Sequence, residues 1–193
     1  MIGTVLFGLL AQAAAVPAPS VPLVTDPRLP RMAALYEEVC LKAFPNDGAI
    51  DRAMTRKGVT PLTPEQVRVT MNDDPARGWS FDDDGKTVLV FLELPPYHAC
   101  SVRWPAAAGT PDLAPYRAVA DPYMATATGW ITMPPTNMDR GDIHISAGGA
   151  QRMVPSGGSE ALYIIDQTIT DPARRAAGET GIDRRLVHQL KEG

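Results

Sequence analysis

Between Thr87 and Trp104 the chain reads TVLVFLELPPYHACSVRW, and outside the first fifteen residues nothing else is as continuously apolar. A run of this kind, rich in β-branched and aromatic residues and bounded by turn signals, belongs at the centre of a sheet. It also carries Cys100, one of two cysteines. The other, Cys40, lies in the first amphipathic helix, so one bond between them would tie that helix to the sheet.

The stretches on either side supply the partners of this centre. Met32, Leu35, Tyr36, Val39, Cys40 and Ala43 fall on one face of a helix predicted from Arg31 to Phe44, with Glu37, Glu38 and Lys42 largely opposite. Pro45 stops it. Asn46 or Asp47 caps a second helix with Ile50, Ala53 and Met54 inward, and Gly58 marks its end. Thr63-Pro64-Glu65-Gln66 has the form of a capping box, predicting a short helical turn that gives way to extended VRVTM. Trp79–Phe81 and Lys86–Leu94 flank Asp82-Asp83-Asp84-Gly85, which predicts a hairpin.

Beyond it, His98, Cys100, Val102 and Trp104 share one face of a strand. A helical stretch follows to about Thr128, with Pro115 and Pro122 expected to break it. Strands are then predicted over Trp130–Met133, Asp142–Ser146, Gln151–Val154 and Ala161–Ile169. Ile182–Leu190 fits either period and is read as a closing strand, because Gly178 and Gly181 precede it without a helix cap. The class is therefore α+β: a mainly antiparallel sheet of about six strands against an N-terminal helical pair and a central helix. The order helices, strands, helix, strands hints at two similar halves without a residue-level repeat.

The first twenty residues, MIGTVLFGLLAQAAAVPAPS, hold an apolar run of about ten residues, half the roughly 20 a helix needs to span a bilayer. Small residues at Ala11, Ala13 and Ala15 offer cleavage positions, so residues 1–15 read as a signal peptide, although no Lys or Arg follows Met1. Residues 16–30 read as a proline-rich arm and 31–193 as a single domain. Two cysteines sixty positions apart fit an exported protein with one structural bridge, and a periplasmic or secreted location follows. A net charge of -4 disfavours nucleic acid as a partner. The carboxyl-terminal basic residues, Arg174, Arg175, Arg184, Arg185 and Lys191, are nearly balanced by acids and read as a solvated surface.

The stretches VCLKAFPNDGAIDRAM, TPLTPEQVRV, DDPARGW and PPYHACSVRW resemble those of uncharacterised exported proteins from sphingomonad-type alphaproteobacteria. The resemblance covers most of the mature chain. It implies a bacterial periplasmic setting and carries over no activity and no functional residue.

Chemistry-bearing residues are few. His144 and Ser146 share a strand face and Asp166 lies on a strand able to neighbour it, but no G-x-S-x-G or S-x-x-K places a nucleophile. His98, His144 and His188 lack the close ligand spacing of a zinc site. Asp82, Asp83 and Asp84 suggest calcium, yet Phe91 stands where an EF-hand loop needs its bidentate glutamate. No cofactor or metal motif is present. The sequence points first to a non-enzymatic envelope binding or accessory domain, its partner an envelope protein or small molecule. The alternative is a periplasmic hydrolase or transferase using His98, His144, Ser146 or His188.

Overall fold

Thr87–Glu93 and Ala99–Ala106 are adjacent antiparallel strands inside an eight-stranded sheet, in a computed structural model describing residues 23–107, 109–155, 157–177 and 182–193. In chain order the elements are α1 (Leu29–Tyr36), continuing as a π-helical segment (Glu37–Ala43), α2 (Asp47–Arg56), β1 (Thr60–Pro61), α3 (Pro64–Thr70), β2 (Ala76–Asp82), β3 (Thr87–Glu93) and β4 (Ala99–Ala106). Then come α4 (Ala114–Met124), β5 (Ile131–Arg140), β6 (Ile143–Met153), β7 (Ser159–Ile169), α5 (Pro172–Ala176) and β8 (Ile182–Lys191). The sheet order is β1-β2-β3-β4-β8-β7-β6-β5, antiparallel throughout. It is two four-stranded meanders joined through their last strands. The expected α+β class holds, with eight strands rather than about six.

Two of the expected strands are longer than their sequence suggested, for local reasons. β6 was expected as two pieces, Asp142–Ser146 and Gln151–Val154, but Gly148 and Gly149 between them are both paired, to Ile164 and Tyr163. A Cβ on Gly149 would lie 1.9 Å from the Leu162 carbonyl oxygen, and one on Gly148 3.1 Å from the Pro135 backbone. Close backbone approach, rather than a turn, selects glycine here. β5 was expected to end at Met133. It runs on to Arg140, because Pro134 and Pro135 are absorbed in a bulge between Met133 and Thr136 on an edge strand. β1 is only two residues long.

Helix boundaries differ in three places. VRVTM does not become extended: the Thr63–Gln66 capping box is formed, Pro64 occupies the first turn, and the helix runs to Thr70. Pro115 sits in the first turn of α4, where no amide is needed, and Pro122 lies within the helix without ending it. Helix one begins at Leu29, and its last seven residues are π-helical. Residues 1–22, including the expected signal peptide, lie outside the described residues. From Val24 onward the chain is packed: Val24 bonds to Thr110 and Asp112, and Asp26 is buried. Among the described residues no helix is long and apolar enough to cross a membrane.

One sheet face carries the main core. Val88, Val90 and Leu92 of β3, Cys100, Val102 and Trp104 of β4, Leu186 of β8 and Leu162 of β7 pack beneath α1, the π-helix, α2 and α4. The other face is covered only locally, where Val67 and Met71 of α3 meet Phe91. Cys40 and Cys100 are bonded, with their Cα atoms 5.3 Å apart, which fastens the π-helix to β4.

Candidate functional site

The π-helix explains where His188 sits. In that segment each amide reaches back five residues, and Phe44 N–H donates to the Val39 carbonyl at 3.1 Å. The next amide in the series would serve Cys40, but it belongs to Pro45, which has no N–H. His188 Nδ1 supplies the missing donor, 2.6 Å from the Cys40 carbonyl oxygen. On the other side of the ring, Nε2 lies 2.8 Å from Glu160 Oε1. A carbonyl oxygen only accepts, so Nδ1 carries a proton and donates to it, and Nε2 is left to face the carboxylate.

Glu160 is the hub of this buried cluster. Its Oε1 also accepts from Tyr123 Oη at 2.5 Å, and Oε2 accepts from Arg152 Nε at 2.7 Å. Burial alone would raise the Glu160 pKa. The bonds from His188 and Tyr123, the His188 charge and the Arg152 bond outweigh it and hold the carboxyl at about 2. Tyr123 is pushed the other way, above the ordinary phenol range, by burial and by Glu160. Phe44 lies edge-on to both His188 and His98, and Tyr123 packs edge-on to His188.

A second buried cluster lies along the same strands. Arg184, fully buried on β8, donates from Nε and a terminal nitrogen to the two Asp166 oxygens at 2.7 and 3.0 Å. Its other terminal nitrogen is 3.5 Å from Asp26, which also accepts from Trp104 Nε1 at 3.1 Å. Arg184 is thus a core cation rather than part of a solvated surface. Arg185 is also largely enclosed, and burial and neighbouring Arg103 lower its pKa.

Asp166 forms part of the wall of a cleft of about 860 Å³ between α4 and the outer strands β5–β7. Apolar walls come from Leu113, Met124 and Ile164, and polar ones from Thr132, Ser146 and Thr168. Arg117 and Asp121, on the exposed flank of α4, stand at its edge. The glycines of β6 leave its floor without side chains.

Of the chemistry-bearing residues singled out in the sequence, Ser146 and Asp166 line this cleft, directly across from each other in the β6–β7 register. His144, two positions away, bonds through Nδ1 to Asp139 at 2.7 Å on the surface. His98 is half-buried, with Nε2 2.8 Å from Asp47 at the start of α2, where Arg77 also bonds. His188 is in the core. Each histidine therefore has its own carboxylate, on three different partners. Asp83 and Asp84 of the acidic turn engage Arg31 at 2.7 and 3.0 Å. Among the described residues no three His, Cys, Asp or Glu side chains converge on a common point as metal ligands would.

Sequence reasoning did not find Glu160, Arg152, Tyr123, Asp26 or the role of Arg184. The available signal was a charged residue at an inward position of an apolar alternation, as in SEALYIIDQTI and IDRRLVHQLK. Comparison with known proteins adds no relative: no family model, no curated protein and no solved structure matches the chain.

Proposed function

We propose that the protein is an exported binding domain of the bacterial envelope, and that the cleft between α4 and β5–β7 receives a small molecule. The observation that carries this reading is the cleft itself. At about 860 Å³ it falls in the roughly 300–1,000 Å³ range of ligand sites, with apolar walls, a few convergent hydroxyls, the Asp166 carboxylate within and Arg117 and Asp121 at its edge. The fitting ligand has an apolar body and hydrogen-bonding groups that meet Thr132, Ser146 and Asp166. The Cys40–Cys100 bond supports an oxidising compartment, and the periplasm is the proposed one.

The hydrolase alternative would draw on Ser146 and Asp166, which face each other across two strands. Binding is favoured because the nearest histidine in sequence, His144, is bonded to Asp139 instead. A test isolates the protein from the periplasm and identifies small molecules released on denaturation, for the native chain and for Thr132→Trp, which fills the cleft from β5. Molecules retained by the native chain and lost from the variant are expected. The same set with both proteins, or none with either, overturns the reading.

A further inference from the structure

The strands β5 to β8 have a second face, opposite the cleft, which the described helices meet only at one end, where Arg174 of α5 stands near Ile143 and Ile169. Register places Ile143 and Ile145 of β6, Tyr163, Ile165 and Ile169 of β7 and Val187 of β8 on it. Three of the six exposed large apolar side chains among the described residues are there as well: Ile131 (59%), Met138 (52%) and Met153 (71%). On the first meander the same face is closed by α3, whose Val67 and Met71 cover Phe91. Among the described residues the second meander has no helix between its first two strands, since a tight turn at Gly141-Asp142 joins β5 to β6 where α3 stands between β1 and β2. A contiguous apolar face of this kind marks an interaction surface.

We infer that this face packs against the same face of a second copy of the chain, forming a two-fold, sheet-on-sheet dimer. Four strands at about 4.8 Å and five same-face positions at about 6.8 Å give roughly 650 Å² per copy. That is about 1,300 Å² in total, inside the roughly 1,200–2,000 Å² of specific interfaces and near their lower end. Within the patch the one charged side chain is Arg185 of β8, largely enclosed beside Ile165, and the rows of β5–β7 around it are apolar or neutral. Edge-to-edge pairing through β5 is disfavoured by Pro134 and Pro135, which remove two donors from the edge strand and sit in its bulge.

The rim supplies complementary charge. Arg140, exposed at the end of β5, shares this face with Asp183 of β8, whose Oδ2 is held by Arg103 while Oδ1 is buried without a hydrogen-bond partner. A two-fold axis lying in the interface along the strands sets β5 over β8 of the other copy. Arg140 then approaches the partly exposed Asp183 carboxylate twice per dimer.

Sedimentation velocity over a concentration series up to about 200 µM reads the association directly. The native chain is expected to dimerise in the micromolar range. Ile145→Glu and Arg140→Glu are each expected to weaken the dimer about tenfold or more. Arg140 is exposed at a strand end, so its replacement leaves folding intact and keeps the test decisive if Ile145→Glu does not fold. A native chain that stays monomeric at the highest concentration overturns the inference. So does a dimer that Arg140→Glu leaves unchanged.

Discussion

His188 Nδ1 donates to the Cys40 carbonyl at 2.6 Å, while Cys100, its register partner on β4, is bonded to Cys40 through sulfur. The end of the π-helix is thereby held by two neighbouring strands at one residue, once through the backbone and once through the side chain. A proline five positions after Cys40 made the first attachment necessary.

Replacing His188 by alanine opens a cavity beside Phe44 and leaves both the Cys40 carbonyl and the Glu160 carboxylate without their bonds. A loss of about 3–5 kcal/mol is expected. Urea unfolding of the oxidised protein measures it, and a loss below about 1 kcal/mol would contradict the donor role.

Acid should unfold the protein through Glu160. Its folded pKa, about 2, lies below the unfolded 4.5, so its contribution is complete above about pH 4.5 and fades as the pH falls toward 2. Full expression of that shift would amount to on the order of 3 kcal/mol. Glu160→Gln should be less stable than the native chain at neutral pH, with the difference shrinking through this window. A constant difference from pH 7 to 2 would assign the effect to packing instead.

Removing the disulfide as a Cys40→Ala, Cys100→Ala pair frees a sixty-residue loop in the unfolded chain. About 4 kcal/mol of stability should be lost in the chain-entropy model. His188 still holds the π-helix, so far-ultraviolet circular dichroism of the variant should remain native below the unfolding transition.

At Gly149, alanine is expected to cost well over 2 kcal/mol, because its Cβ would lie 1.9 Å from the Leu162 carbonyl oxygen and the contact is with backbone. Gly85, in the β2–β3 turn at φ +73°, has open space around its Cα, so alanine there meets only the left-handed penalty of about 1 kcal/mol. Thermal unfolding of the two variants should rank them in that order.

The sequence made local structure legible wherever one residue type has one strong reason to be present. Asn46 and Thr63 cap as expected, the Asp82–Gly85 turn forms the hairpin, and alternation places Cys100, Val102 and Trp104 on the buried face. It misled where a tertiary contact decided. β6 was divided at Gly148 and Gly149, whose reason for being glycine is the close approach of Pro135 and Leu162 from other strands. Arg184 reads as surface until Asp166 and Asp26 are brought to it from other segments. The cleft was invisible because its walls come from the α4 region and three separate strands; of its residues only Ser146 and Asp166 had been noticed, for a different chemistry.

The palindromic strand order also fixes a sequence of events. β8 follows every other described strand in the chain, yet it lies between β4 and β7, and its pairing with β4 joins Ala99 to Gln189 across ninety positions. During synthesis β4 must wait as an unpaired edge while α4 and three further strands emerge. The two meanders can form early as separate hairpin stacks, but their union is a late, long-range closure, and slow folding is the expected result. Until then the apolar edges of β4 and β7 stay open together, which makes the nascent chain a natural client for a holding chaperone.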